Sequence, residues 1–368
     1  GTAPARDGVP LLVTIPNPQL WWPGAPALYD IEATVVVDGT AVDTVTSYAG
    51  LRDVTVKDGT FLINGKSVYL RFVLDQGFYP DGIWTAPTDE ALKRDIQVSM
   101  AAGFNGARLH QKVFEDRFHY WAAHLGYLTW SEWPSWGFDY NDYGSARAFE
   151  NEIREVVGHL RNHPSIIAWT PFNETWEYSN PRSHYLNHTD AYGICKQVDP
   201  TRPVNDSSGY IHHITDIYTV HTYKPTAADL RVELEAGNNP DGGAAGLSPF
   251  RNFPDRDAAY DGQPYVVDEF GGIKWAGEIE ADDNEDRKDS TKAWGYGGTP
   301  RTREEFFDRL KGLVETLLGF PHVSGWCYTQ LTDVEQEQNG VYFYDRTGKF
   351  DVGLWRALFS RKPSGFDL

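Results

Sequence analysis

The chain has 368 residues, 40% of them hydrophobic and 14% aromatic, with a formal net charge of −19. That length suits one large barrel plus a smaller unit, and the acidic balance argues against a nucleic-acid partner, because phosphate binding needs clustered Lys and Arg. It also disfavours anionic membranes and polyanionic substrates, while the two cysteines, Cys195 and Cys327, make neither a CxxC metal pair nor a disulfide framework.

Residues 1–66 read as β-structure. YDIEATVVVDGTAVDTVTSYAGLRDVTV alternates apolar and polar residues around Asp38-Gly39, a hairpin signal. KDGTFLINGKSVYL follows, with turns at Asp58-Gly59 and Asn64-Gly65. So few strands make only a partial sandwich. From residue 67 to 368, short apolar runs alternate with helical stretches. SVYLRFVLDQ is a strand. TDEALKRDIQVSMAAG is a helix with Thr88 as N-cap and Gly103 as its stop. FNGARLH and FEDRFHYWAAHLG, YLTWSEW and ARAFENEIREVVGHLRNH, and SIIAWTPFNE and SHYLNHTDAYGICKQVD repeat that order. PVNDSS, DIYTVHTY and PYVVDEF are further strands, TREEFFDRLKGLVETLLG is a helix, and VSGWCYTQL is the last strand.

Strand–helix alternation implies parallel pairing. Eight such units over about 300 residues predict an α/β fold, a (β/α)8 TIM barrel preceded by a partial immunoglobulin-like β-segment. A doubly wound sheet is the alternative, but VLDQGFYPDG is not the Gly-rich phosphate turn it would want. Barrel chemistry sits at the C-terminal strand ends. Here these carry Asp75 and Gln76, Arg108 and His110, Glu132 and Trp133, Asn173 and Glu174, His221 and Tyr223, Asp268 and Glu269, and Trp326 with Tyr328 and Gln330. In AWTPFNETW, an apolar strand runs into an amide, a carboxylate and then Trp176. Glu174 and Glu269 both end apolar strands, where a carboxylate is costly unless paired or used. Two facing carboxyls suit glycoside hydrolysis: one protonates the leaving oxygen, and the other attacks the anomeric carbon or activates water.

RNHPSIIAWTPFNETW resembles the acid/base signature of glycoside hydrolase family 2, the β-galactosidase, β-glucuronidase and β-mannosidase family. VVDEFGG resembles its nucleophile motif, GFNGARLH its second strand, and GWCYTQLTDVEQEQNGVYFYDR its eighth strand and following loop. LWWPGAPALYDIEATVVVDG and LINGKSVYLR resemble the end of its immunoglobulin-like domain and the barrel entry. The resemblance implies that Glu174 is the general acid/base and Glu269 the nucleophile. It implies that Asn173 bonds the sugar 2-hydroxyl and that Trp326 is the aromatic floor of the site. Arg108 and Tyr223 are expected to hold Glu269 ionised, and a dry pocket to keep Glu174 protonated.

His110, His221, Asp75 and Glu132 are further candidate substrate contacts; for Asp75 and Glu132, partnership with Arg71 and Arg108 is the plainer alternative. Trp84, Trp133 and Trp136 suit either sugar stacking or lid packing. His159 and His163 have metal-like spacing but no accompanying HExxH glutamate, so they read as helix-end histidines. His212-His213 reads as a loop pair without a role, and EIEADDNEDRKDS as a solvated loop near the barrel mouth.

The chain departs from the family pattern in three ways. The N-terminal jelly-roll is missing, which leads one to expect a fragment or a minimised chain. Phe72, Thr222 and Asp268 replace the family's usual Gly, Asp and Ser or Thr. Phe72 is expected to narrow the pocket and Asp268 to raise the pKa of Glu269 should the two come close; together these changes raise the alternative of an engineered pocket. Glu337-Gln338-Asn339 stands where glucuronidases carry an Asn-x-Lys pair, so glucuronidase activity is not expected.

The resulting expectation is a retaining exo-β-glycosidase for a neutral sugar, requiring no metal or organic cofactor. Its partner is a small carbohydrate, with a homo-oligomer left open. No span of about 18 apolar residues is visible, so no membrane span is expected; no signal peptide is visible either, which says little about the compartment, left open between cytoplasmic and secreted bacterial. The rivals are a carbohydrate-binding or weakly active barrel, and a barrel repurposed for other acid/base chemistry.

Overall fold

The computed structural model describes residues 12–175, 179–236, 249–275 and 293–368. Trp176 and the acidic run at 278–290 lie outside the described residues. A hairpin of β1 (Tyr29–Val37) and β2 (Thr40–Ala49) comes first. Asp38 and Gly39 both take the left-handed backbone, φ 49° and 80°, that a two-residue primed turn needs. β3 (Val54–Lys57), β4 (Thr60–Ile63) and β5 (Lys66–Val68) make a small antiparallel sheet. Their Val54, Phe61, Ile63 and Val68 share one buried cluster with Leu70 and Phe72, so this sheet packs into the interior of the next.

Strand and helix then alternate: β6 (Leu70–Asp75), α1 (Asp89–Ala102), β7 (Gly106–Leu109), α2 (Asp116–Leu125), β8 (Leu128–Glu132), α3 (Tyr143–Leu160) and β9 (Ile166–Thr170). After the short β10 (Phe172–Asn173) come α4 (Pro181–Val198), β11 (Ser207–Ser208), β12 (Tyr218–Thr222), α5 (Ala227–Ala236), β13 (Tyr265–Gly271), α6 (Arg303–Leu318), β14 (Val323–Thr329) and α7 (Val352–Phe359). The expected caps are present. Thr88 Oγ1 accepts the Ala91 N–H, and Gly103 ends α1 at φ 105°. The short helices α5 and α7 are additions to the sequence reading. Among the described residues, no helix is long and apolar enough to cross a membrane.

Seven strands form one parallel sheet in the order β12-β13-β14-β6-β7-β8-β9, which is chain order read cyclically. The segment carrying β11 lies between the two ends. On one side it pairs with β10, and Val204 bridges to Trp169. Toward β12, the Thr219 hydroxyl makes the links. Its Oγ1 accepts from Gly209 N–H at 2.8 Å and Asn205 Nδ2 at 3.3 Å, and donates to Ser207 O at 3.2 Å.

Strand alternation sorts side chains into two environments. Leu70, Phe72, Leu74, Trp130 and Cys327 pack on the inner side. Val73, Ala107, Leu109, Trp326 and Tyr328 pack outward with residues of α1, α6 and α7. Phe72 therefore fills the interior against Trp130 rather than narrowing the strand-end site. Gly106 makes this fit feasible, because a Cβ there would stand 2.3 Å from the Phe72 ring.

The Thr219 seam is testable. Thr219→Val should lower the free energy of unfolding in urea by about 1–3 kcal/mol, because the buried Gly209 N–H loses its acceptor, while Thr219→Ser should cost less. A valine variant as stable as wild type would show that the seam does not need the hydroxyl.

Candidate active site

Arg108 leaves β7 toward the interior and is fully buried. Nε donates to Glu132 Oε2 at 2.8 Å. Nη1 donates to Glu269 Oε1 at 2.8 Å and to the Asp268 carbonyl at 3.2 Å. Nη2 reaches Asn173 Oδ1 at 2.6 Å and His110 Nδ1 at 2.8 Å. One guanidinium thus ties together the ends of β7, β8, β10 and β13. Burial opposes its charge, but Glu132 and Glu269 outweigh burial and raise its pKa. Glu132 is committed to Arg108, and its other oxygen takes the Gln111 N–H at 2.9 Å, so it is a partner rather than an open substrate contact.

Glu269 also accepts from the Tyr223 hydroxyl, which meets Thr329 Oγ1 at 3.0 Å. Burial would raise the Glu269 pKa, yet His221 and Arg108 overcome this and hold it well below the ordinary carboxylate range. The expected elevation by Asp268 is therefore not what the site does. Glu174 follows β10 with a left-handed backbone, φ 50°, a conformation that costs a non-glycine residue about 1–3 kcal/mol. Its N–H is fixed on Ser208 O at 3.0 Å. Its Oε1 lies 2.7 Å from His221 Nδ1. Glu174, Glu269 and His221 each offer an atom within 4.8 Å of the others.

His221 also meets a third carboxylate: its Nε2 is 3.2 Å from Asp268 Oδ1 and 3.0 Å from Ser208 Oγ. Ser208 donates to Asp268 Oδ2 at 2.5 Å. Register shifts beside His221 and between Val267 and Phe270 let Asp268 and Glu269, adjacent in the chain, both face the imidazole. Burial pushes the imidazole pKa down, but Glu269 and Asp268, with hydrogen bonds to Asp268 and Glu174, bring it up to about 10.

Asn173 is buried, with Oδ1 on Arg108 and Nδ2 lacking a hydrogen-bond partner among the described residues. His110 sits beside Arg108, with the Trp136 ring edge-on to it at 6.4 Å. Trp136 is 61% exposed, and its indole N–H donates to the Asn173 carbonyl at 3.2 Å.

The structure does not bring Asp75 and Trp326 to Glu174 and Glu269. Asp75 lies on the outward side of β6, takes the Gly77 N–H at 2.9 Å, and is raised in pKa by burial and by Asp95. Trp326 is fully buried among Phe104, Phe270 and Phe359. It shares the outward side with Tyr328, so the site receives Thr329 and Gln330 from this strand end instead. Gln330 Oε1 accepts from Gln76 at 2.8 Å. Trp133 is buried against Trp169, whereas Trp84 is 44% exposed beside Phe78.

Three residues at the site escaped the sequence reading as contributors. Ser208 ends a strand with no chemical signature. Tyr296 stacks on Tyr223 with ring centroids 3.5 Å apart. The Glu337 carboxylate accepts from Gln76 at 3.2 Å and Asn339 at 3.1 Å; burial raises its pKa, and the field of Glu269 adds to that rise. The other histidines are structural. His159 pairs with Asp116 at 2.8 Å, His163 bonds the Tyr48 hydroxyl at 2.7 Å, and His212, far from idle, joins Asp206 to the Thr219 carbonyl. Among the described residues, the cluster with metal-ligand spacing is the Glu174–His221–Glu269 trio itself. In it His221 Nδ1 lies between the two carboxyls, 2.7 Å from Glu174 Oε1 and 3.4 Å from Glu269 Oε2.

The sequence pattern of "Glycosyl hydrolases family 2, TIM barrel domain" matches residues 54–242, and that of "Glycosyl hydrolases family 2" matches residues 2–52. The chain belongs to glycosyl hydrolase family 2. A Formosa agariphila protein provisionally named as a β-glucuronidase is 26% identical over 215 residues, covering 56% of this chain and 26% of its own length. A Lactococcus lactis β-galactosidase is 27% identical over 205 residues, covering 54% and 20%. The chain thus spans about a quarter or less of these relatives. The fold superposes with TM-score 0.74 on a family 2 β-galacturonidase from Eisenbergiella tayi bound to galacturonate, at 18% identity, covering 94% of this chain and 60% of that one.

The His221 setting predicts how stability varies with pH. A histidine whose pKa is raised on folding contributes stability that is full below the unfolded value, about 6.5, and is lost as pH climbs through the folded value. Urea midpoints should therefore fall between about pH 6.5 and 10. Relative to wild type, His221→Asn should flatten that window. An unchanged slope in the variant would show that His221 is not the group titrating.

Proposed function

We propose that this chain is a retaining exo-β-glycosidase acting on a neutral terminal sugar, with Glu174 as general acid/base and Glu269 as nucleophile. The observation carrying this reading is the approach of the two carboxylates, with an oxygen of each within 4.8 Å of the other. An upper bound of 4.8 Å on one oxygen–oxygen approach accords with the roughly 5–5.5 Å carboxyl separation of retaining enzymes. The cyclic strand order supports reading the sheet and the β11 segment together as the family's closed barrel.

In the first step, Glu174 gives its proton to the glycosidic oxygen as the bond from that oxygen to C1 breaks and Glu269 bonds to C1. In the second, Glu174 takes a proton from water as the water displaces Glu269. Arg108 and Tyr223 keep Glu269 anionic and aimed. Asn173 Nδ2, without a partner among the described residues, is set to donate to a sugar hydroxyl, and Trp136 offers an apolar face at the rim.

The choice of a neutral sugar rests on Glu337. It is an acidic group felt by Glu269, bonded to Gln76 and Asn339, and a uronate there would meet like charge. A β-uronidase is the second reading, favoured by the names of the relatives above.

A panel of 4-nitrophenyl β-D-galactoside, glucoside, mannoside and glucuronide separates them. Wild type should turn over a neutral member with the β-anomer formed first by NMR, and Glu174→Ala and Glu269→Ala should each lose at least about 10²-fold. Preference for the glucuronide would favour the second reading. An α-anomer formed first, or variants as active as wild type, would overturn the mechanism.

A further inference from the structure

Asp268 is a buried carboxylate that the double-displacement chemistry leaves without a task. Arg108 touches only its backbone carbonyl. Of its side-chain oxygens, Oδ2 takes the Ser208 hydroxyl, and Oδ1 faces His221 Nε2 as an ion pair at 3.2 Å. On the far side of the ring, Nδ1 stands 2.7 Å from Glu174 Oε1 and 3.4 Å from Glu269 Oε2. Asp268, His221 and Glu174 are therefore in series, with the nucleophile within reach of the same ring nitrogen.

Building on the glycosidase reading, we propose that Asp268, acting through His221, positions the proton of Glu174 and stabilises the carboxylate left behind when that proton moves to the leaving oxygen. Asp268 is a positioning residue that touches none of the reacting groups in this scheme, whereas His221 contacts both, at 2.7 Å from Glu174 Oε1 and 3.4 Å from Glu269 Oε2. Ser208 gives its one hydroxyl proton to Asp268 Oδ2, so its oxygen can only accept from His221, which puts a hydrogen on Nε2 and leaves Nδ1 for Glu174 and Glu269. The main chain under the ring is held by Asn252, which accepts the His221 backbone N–H at 3.1 Å and donates to the His221 backbone carbonyl at 2.9 Å. Gly209, at φ 61°, leaves the ring its space, since a Cβ there would lie 2.5 Å from the imidazole. The groups facing the ring are Glu174, Asp268, Glu269 and Ser208, with Tyr210 edge-on at 5.7 Å and Arg108 beyond Glu269.

The charge arithmetic shows what this placement does. In the first step the Glu174 O–H breaks and its proton goes to the glycosidic oxygen. The electron pair of the bond from that oxygen to C1 leaves with the aglycone, and a Glu269 oxygen bonds to C1. Negative charge disappears from Glu269 and appears on Glu174. His221 Nδ1 faces both, so the imidazolium keeps an anionic partner throughout and meets the new anion across the shorter of its two contacts. An interaction that strengthens as the proton departs lowers the barrier. Hydrolysis of the ester reverses the exchange.

The test compares kcat/KM on paired phenyl and 2,4-dinitrophenyl β-glycosides of the sugar that wild type turns over. The phenyl leaving group needs the acid, and the dinitrophenyl group does not. Asp268→Asn should lose about 10²-fold on the phenyl substrate and less than about threefold on the dinitrophenyl one. Ser208→Ala should shift the ratio in the same direction by less, and it carries the comparison should the melting curve show that Asp268→Asn does not fold. An equal loss on both substrates, or no loss on either, overturns the relay. Wild type silent on every sugar would instead sink the glycosidase reading, and the relay with it.

Discussion

Arg108 carries a positive charge into a place that water does not reach, and its five N–H donors each need an acceptor there. An unpaired buried guanidinium would be prohibitive, and a pair of carboxylates at good geometry makes it tolerable. Glu132 and Glu269 supply the charge, while Asn173 and the Asp268 carbonyl take remaining donors. Because Arg108 is planar and rigid, satisfying it fixes the relative positions of four strand ends. A lysine could supply the charge but not the fork. Glu269, Asn173 and Glu132 are thus placed by one side chain.

A second cation, His221, completes the site and follows a different logic. Arg108 is permanently charged and keeps Glu132 and Glu269 apart from each other. His221 is charged only because anions surround it, so its charge depends on theirs. It faces the carboxyl groups of Glu174, Asp268 and Glu269 at 2.7, 3.2 and 3.4 Å, and so it bridges acidic groups that otherwise share only a small buried space. The fixed cation sets geometry, and the conditional one stands within reach of both Glu174 and Glu269.

Much of this was legible in the chain, where local patterning determined the outcome. Thr88, Gly103 and the Asp38-Gly39 turn act as their chemistry dictates, and the strand–helix order gives the parallel sheet. Glu174, Glu269, Arg108, Asn173, Tyr223, His110 and His221 do converge. Asp75 and Trp326 do not, for a reason of parity. Leu70, Phe72 and Leu74 face inward, so Asp75 faces out; Cys327 faces inward, so Trp326 faces out with Tyr328. Being near a strand's end decides little until its inward side is known. Ser208 and Tyr296 carried no signal at all, since a serine in a loop-like strand and a tyrosine after a long loop gain meaning only from their neighbours. Glu337 was visible only as the absence of a lysine.

Regular alternation would in fact have made this site impossible. Asp268 and Glu269 are neighbours in sequence, and an ideal strand would send them to opposite faces. The register shifts around them and around His221 turn both to one imidazole. Glu174 leaves its strand through a left-handed residue, and the β11 segment that supports it is tied to β12 through a threonine hydroxyl. These irregularities gather on the Glu174–His221 side of the site, whereas β6, β7 and β8 pair without a shift. Regular strands aim Arg108, whose fork then demands precision from its partners. The irregular ones supply carboxylates and a histidine in combinations that a regular pleat excludes. Their strain is borne by the packed cluster under the strand ends, where Phe72, Trp130 and the small antiparallel sheet fill the interior.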